Sequence, residues 1–482
     1  MRRFDIQDIL SNIDKYAYGV VIGSIVLVAL ILLFDLIKIR KTKKPVNLKK
    51  AELEKAHGIV FGYQGKKIVY SDFREQAHCL VAAGTGRGKT STAIVSLRQW
   101  GLPSDYKQKT THEKPERTLF VIDISGDVLS NCADVPCKLV YEPENDLTAP
   151  YNIFGSVDAL NSVEAKNEAL EQLAILLMPE KPMMNDNARF FLVNGRKILT
   201  AALIAFYHEG LDFVEICDIV MGNSWKTLLQ KIYQTGNTVS QKLILAFEDA
   251  NPANNAGCVQ SACDAITLFS TNAKVHNSLR RPKEGETALE PKLLENNNLF
   301  LVIEESKTEL MMPLMHVISA DVAKYTLSRK VTEDSPVILL YWDEFGSLNL
   351  DAQTVVLPIF RRGRKHRVRV IVLMQNIIDM DILYGHEVTR AILSNIQYFM
   401  LLTGIQDVET LKYMSEKIGY EETKRKSVTK SKHSVSSTET EDRRFILEPA
   451  DIDKQGKDTV ILIAPDEPTG VLMLKKCSYY NL

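Results

Sequence analysis

The apolar positions of this chain arrange themselves in distinct textures. The first is a long uncharged run, Tyr16 to Phe34, dense in Val, Ile and Leu from Val20 onward. Its length suits one helix crossing a bilayer. The second is a series of short apolar runs: Cys79–Ala83, Thr118–Asp123, Asn298–Ile303, Pro336–Trp342, Val368–Met374 and Phe399–Thr403. Runs this short and this continuous read as strands buried on both faces. Val460–Ala464 and Val471–Leu474 read as a closing pair of strands, and Gly58–Tyr70 as a β-hairpin turning at Gln64-Gly65. The third texture has helical spacing. Glu164–Leu177 puts Leu170, Leu173, Ala174 and Leu177 on one face and stops before Pro179, and Ala188–His208 repeats the pattern through Ile198, Leu199, Ala202 and Phe206. Further helices are predicted at Ser224–Tyr233, Gln241–Phe247, Ala256–Ser270, Leu310–Ser328 and Asp407–Ile418.

Strand, helix and strand in succession from Cys79 to Asp123 form a βαβ unit, so the fold class is α/β with a parallel sheet. A block almost free of strand texture interrupts it and reads as an all-helical insertion. The expected organisation is a short extracytoplasmic segment 1–15, a transmembrane helix 16–37 and a basic linker 38–57. A first part of the α/β unit 58–154, the helical insertion 155–295 and a second part of that unit 296–482 follow. Residues 103–117 read as a polar surface loop. Residues 423–443, rich in Ser, Thr and Lys, read as a flexible one. A signal peptide would have a shorter apolar run and a small-residue cleavage site. Here Lys38, Arg40, Lys41, Lys43, Lys44, Lys49 and Lys50 follow the run. That cluster marks the cytoplasmic side, giving a single-pass protein of the inner (cytoplasmic) membrane with its α/β part inside the cell.

Composition narrows the picture only a little. The 482 residues carry 59 Lys plus Arg against 60 Asp plus Glu, which argues against a static nucleic-acid coat but leaves room for a local groove. The seven cysteines are scattered, and the pairs Cys132/Cys137 and Cys258/Cys263 have poor zinc spacing and no neighbouring histidines, so all seven read as packing residues.

The chemistry begins where the strand Cys79–Ala83 runs into Gly84-Thr85-Gly86-Arg87-Gly88-Lys89-Thr90-Ser91. Glycines let the backbone turn its N–H groups inward around phosphates, Lys89 reaches the β- and γ-phosphates, and Thr90 offers a hydroxyl to Mg²⁺. The helix that starts at Lys89 adds its dipole. Ala83 stands where the usual pattern begins with glycine. Downstream, a hydrophobic strand ends in Asp343-Glu344: Asp343 suits Mg²⁺, and Glu344 suits activation of the attacking water. A basic run, Arg361 to Arg369, precedes a strand ending at Gln375. In ring-shaped P-loop motors an arginine can touch the neighbour's γ-phosphate and a glutamine can sense it. ATP and Mg²⁺ are therefore the expected ligands.

In order, these features resemble the type IV coupling proteins, the TraG/TraD-like motors of conjugation and type IV secretion. The resemblance rests on Gly84–Thr90, Val121–Asp127, Tyr151–Phe154, Trp342–Phe345, Gly363-Arg364-Lys365, Gln375 and Lys475–Tyr480. It implies a RecA-like domain with an all-helical insertion, assembled as a homo-hexamer on a membrane stem. It also implies Arg364, ahead of Arg362, as the arginine finger and Gln375 as the sensor. The implied partners are single-stranded DNA or a relaxase–DNA complex, and the components of a type IV secretion channel. Departures are Ser125, where the family's motif has Lys, and one clear membrane span where many members have two. No long cargo-recruiting tail is expected after the closing strands. Alternatives are a receptor for protein effectors only, a non-catalytic nucleotide-gated scaffold, and a chromosome-segregation translocase. The last would need several membrane helices and a DNA-reading tail.

Overall fold

The computed structural model describes residues 49–51, 53, 56–102, 115–180, 184–431, 434–465 and 470–479. In chain order its strands are β1 (Lys49–Ala51), β2 (Gly58–Gln64), β3 (Lys67–Asp72), β4 (Cys79–Ala82), β5 (Arg117–Asp123), β6 (Lys138–Tyr141) and β7 (Asn298–Val302). They continue with β8 (Val337–Trp342), β9 (Val368–Met374), β10 (Tyr398–Leu401), β11 (Tyr420–Ser431), β12 (Ser434–Phe445), β13 (Thr459–Ile463) and β14 (Val471–Lys475). All but β11 and β12 join one 12-stranded sheet, in the order β1-β3-β2-β14-β13-β10-β4-β9-β8-β5-β7-β6. The run from β10 to β6 is parallel throughout. On the other side of β10, β13, β14, β2, β3 and β1 pair antiparallel, so the sheet is mixed.

Strands β4, β5, β8 and β9 are buried along their whole length, which accounts for their unbroken apolar runs. Side chains alternate between two cores, as the two-residue period of a strand requires. Leu80, Phe120, Ile122 and Leu340 point into one. Cys79, Val81, Leu119 and Leu339 point into the other, with Ala93, Leu97 and Trp100 of the helix Lys89–Gly101. The helix Thr308–Ser328 and the helical block share the first core.

That block sits in the connection between β6 and β7. Its helices are Gly155–Asp158, Val163–Leu177, Asp186–His208, Phe213–Met221, Trp225–Gln234, Thr238–Ile244, Pro252–Thr271 and Ala273–Ser278. Side chains of Ser162, Asn185, Asp212, Ser224, Asn237, Asn251 and Asn272 cap successive helix starts by accepting backbone N–H bonds. Entry and exit are tied together: Tyr151 N–H donates to the Ser278 carbonyl (2.8 Å) and Leu289 N–H to the Pro150 carbonyl (2.7 Å). The Tyr151 hydroxyl donates to Asp321 in the helix Thr308–Ser328 at 2.9 Å. Sequence reading missed the short elements Ala273–Ser278, β1 and β6, and also Phe213–Met221, whose buried Phe213, Val214, Ile216, Cys217 and Val220 and Asp212/Glu215 capping box were a legible helical signal.

The expected transmembrane run Tyr16–Phe34 and most of the 103–117 loop lie outside the described residues. Among the described residues one helix, Asp186–His208, is long and apolar enough to cross a membrane, and 56% of its apolar window is buried inside the protein. Its buried face, from Ile198 to Phe206, belongs to the core, so it is a core helix. Two readings need correction. Cys137 is exposed and cannot be a packing residue, although the other six cysteines are buried or partly so. The segment expected as a flexible loop instead pairs in register as the antiparallel ribbon β11–β12, from Tyr420 opposite Phe445 to Ser431 opposite Ser434. Backbone pairing needs no apolar periodicity, and the register sets residues of opposite charge across from each other, such as Glu422 and Arg443.

Candidate nucleotide site

The carboxyl ends of β4, β9 and β8, three neighbours in the sheet, converge on one locus. β4 delivers the glycine loop, β8 delivers Asp343-Glu344, and β9 delivers Gln375. This is where an open α/β sheet binds ligands. Ala83 N–H donates to the Met374 carbonyl and Gly84 N–H to the Thr403 carbonyl, both at 3.3 Å, so the loop starts pinned to the ends of β9 and β10. A Cβ on Gly84 would lie 2.0 Å from the Gly404 carbonyl oxygen, so the approach admits only glycine. Gly88 has φ 88°, in the left-handed region. Ala83 is not among the residues with positive φ, which is why alanine is tolerated there.

Lys89 is 6% exposed, and its ammonium donates to Glu344 Oε1 at 2.8 Å. Gln375 lies on the other carboxylate oxygen, Nε2 to Oε2 at 3.5 Å, and its own oxygen accepts from the Thr85 hydroxyl at 3.0 Å. Thr85, Lys89, Glu344 and Gln375 thus form one connected network across three strands. Glu344 has φ 43° and ψ 54°, a left-handed conformation costing on the order of 1–2 kcal/mol for a non-glycine residue. The kink separates Glu344 from Phe345, which is fully buried and stacks on Trp342 with ring centroids 5.4 Å apart.

Asp343 is 2% exposed, and its contact with the Tyr341 hydroxyl is long, at 3.5 Å. Burial first, then the charges of Glu344 and Asp123, push its carboxyl up to about 7, with Lys89 opposing. A buried carboxylate whose charged form is disfavoured by its surroundings suits a cation. Thr90, at the start of the P-loop helix, is partly exposed. Mg²⁺ needs little more than such a hydroxyl and carboxylate beside substrate phosphates and water, and these residues fit it. Ser91 is spent differently: its hydroxyl donates to the Gly88 carbonyl at 3.1 Å and closes the turn. Asp123, which sequence reading gave no role in the site, ends β5 fully buried. It accepts from Ser125 N–H and hydroxyl, Gly126 N–H and Leu129 N–H at 2.8–3.2 Å. Ser125, in the position where a lysine was expected, therefore helps hold a structural turn.

Arg364 lies elsewhere. It precedes β9, whereas Gln375 follows it, and seven strand residues span about 23 Å. Arg364 lines a cleft of about 820 Å³ with Arg74, Lys365, Arg367 and Arg369. The Arg369 guanidinium, 3% exposed, donates to the carbonyls of Arg364, Arg74 and Glu75 and ties the two loops together. Burial, followed by Arg367 and Arg364, pulls it down to about 10. Arg362 is exposed at the end of the preceding helix.

A central parallel sheet with a phosphate loop after β4, an acid pair after β8 and a glutamine-bearing strand between them defines a RecA-like P-loop fold. The family model described as "Type IV secretory system Conjugative DNA transfer" matches residues 38–482, and the chain belongs to that family. The plasmid coupling protein TrwB in complex with the non-hydrolysable ATP analogue ADPNP is similar in fold, with TM-score 0.66 and 17% identity over 91% of this chain and 92% of that one. TrwB in complex with ADP and Mg²⁺ gives TM-score 0.61 and 18% identity, covering 84% and 86%. VirB4 of Thermoanaerobacter pseudethanolicus gives 0.50 and 14%, covering 88% and 97%. No curated protein matches.

Proposed function

We propose that this chain is an ATP-driven coupling protein, anchored in the inner membrane by the run Tyr16–Phe34, that delivers a relaxase–DNA complex to a type IV secretion channel. The observation that carries the reading is the Thr85–Lys89–Glu344–Gln375 network at the ends of three adjacent strands, in a chain of the conjugative DNA transfer family. The related coupling protein TrwB takes nucleotide and Mg²⁺. Here Gly84 to Thr90 would cradle ATP, and Thr90 and Asp343 would hold Mg²⁺, which neutralises phosphate charge when bound.

Lys89 and Glu344 form an ion pair at 2.8 Å and neutralise each other. Phosphate entry draws Lys89 away and leaves Glu344 free to take a proton from the attacking water. Water oxygen then bonds to the γ-phosphorus as the bond to the β–γ bridging oxygen breaks. Gln375, bonded to Thr85 of the loop, reports γ-phosphate loss along β9. Arg364 of an adjacent subunit completes the site, which requires a ring, expected as a hexamer. Single-stranded DNA passing through would be held by phosphate contacts without base readout.

The test is ATP turnover by the detergent-extracted full-length protein with and without single-stranded DNA. DNA-stimulated turnover that disappears in Lys89→Ala is expected. Absence of turnover under all conditions would leave only a nucleotide-gated scaffold.

A further inference from the structure

The segment Lys475 to Tyr479 enters the family resemblance but has no part in the network above. β14 ends at Lys475, and the backbone of the next residue is fixed: Lys476 N–H donates to the Asp458 carbonyl at 2.6 Å. Cys477 and Ser478 behind it are buried, at 1% and 6% exposure. With the main chain held on both sides, Lys476 has only its side chain free to move, and that side chain lies across the phosphate loop. Its ammonium donates to the Arg87 carbonyl at 3.3 Å. A Cβ built on Gly88 would lie 3.2 Å from the same nitrogen.

The Arg87 carbonyl and the Gly88 N–H belong to one planar trans peptide, so they point in opposite directions. Gly88, with no side chain to resist rotation, is where this peptide is freest to turn over. Holding the carbonyl on the Lys476 ammonium therefore fixes the Gly88 N–H to point away from Lys476. Charge argues the same way. The helix Lys89–Gly101 has no acidic residue in its first turn, and its N-cap makes no side-chain bond. Among the described residues no carboxylate pairs with Lys476. An ammonium beside the positive end of a helix is in a place that favours an anion between them.

We propose that Lys476 is a positioning residue of the nucleotide site, tying the closing strands β13–β14 to the phosphate loop and fixing the Arg87–Gly88 peptide for polyphosphate. The inference rests on the nucleotide-binding reading above. The test compares full-length wild type, Lys476→Ala and Lys476→Arg by equilibrium binding of a fluorescent ATP analogue and of ADP, and by ATP steady-state kinetics. Lys476→Ala is expected to weaken binding of both nucleotides and raise KM roughly tenfold, the effect of losing one charge-assisted bond. It should leave kcat and the melting temperature of the empty protein unchanged, and Lys476→Arg should restore affinity. Wild-type affinity in Lys476→Ala, or no restoration by arginine, would overturn the proposal. A wild type that binds neither nucleotide would instead sink the nucleotide-binding reading beneath it.

Discussion

Glu344 holds a backbone conformation that non-glycine residues rarely adopt, and its carboxylate is shared between Lys89 and Gln375. Strain of this kind persists where the surrounding structure over-determines it. Substitution Glu344→Gln preserves shape and removes the proton acceptor. Turnover should fall by about 10²- to 10⁴-fold while ATP binding survives, as measured by single-turnover kinetics beside a binding isotherm. Undiminished turnover would remove Glu344 as the base. A second residue-scale effect belongs to His78, fully buried against Phe360 with ring centroids 5.3 Å apart. Burial first, then the charges of Arg369 and Arg364, push its imidazole down to about 3. Between that value and the ordinary range near 6.5 the unfolded chain binds the extra proton. The neutral ring's contribution is therefore complete above the ordinary range and is lost as pH falls, by up to roughly 1.4 kcal/mol per pH unit. Denaturant titrations from pH 7 to pH 5 should show a smaller decline for His78→Leu than for wild type.

Among the elements, legibility followed burial. The parallel strands other than β6, and the amphipathic helices Val163–Leu177 and Asp186–His208, announced themselves because one or both faces must be apolar, whereas β6 is only partly buried along most of its length. The ribbon β11–β12 did not, since its pairing draws on backbone hydrogen bonds and gives no apolar signal. Its base is anchored by Tyr420 stacked on Phe445, with centroids 4.5 Å apart, and by the Ile446 N–H on the Gly419 carbonyl. The ribbon forms a sheet of its own, separate from the main one. Replacing 423–442 by a short turn should therefore shift the melting temperature by less than about 2 °C, which in a chain of this size corresponds to no more than roughly 1 kcal/mol. A larger drop would show that the ribbon supports the core.

At the scale of the whole molecule, the decisive fact is that Arg364 and Gln375 stand at opposite ends of β9. One subunit cannot bring both to a single nucleotide. If Arg364 acts on a neighbour, Arg364→Ala should be inactive alone and partly rescued when co-assembled with Lys89→Ala, whose arginine is intact. The readout is ATP turnover of mixed assemblies, and no rescue at any mixing ratio would count against the trans-acting role. The near-zero overall charge does not show that Arg74, Arg364, Lys365, Arg367 and Arg369 gather at one cleft, where Glu116, Glu333 and Asp334 offset part of their charge.

By itself the sequence determined the α/β class, the phosphate loop, the acid pair after β8 and the presence of a helical insertion. Each of these is local: a glycine pattern, a strand end, a helical period. Only the tertiary structure decided what lies beside what. It placed β9 between β4 and β8, so that Gln375 meets Glu344 and Thr85. It spent Ser91 on the Gly88 carbonyl and set Lys476, 387 positions after Lys89, against the loop. Such contacts come from strand order and loop closure, which residues far apart in the chain settle jointly and no short window of sequence contains.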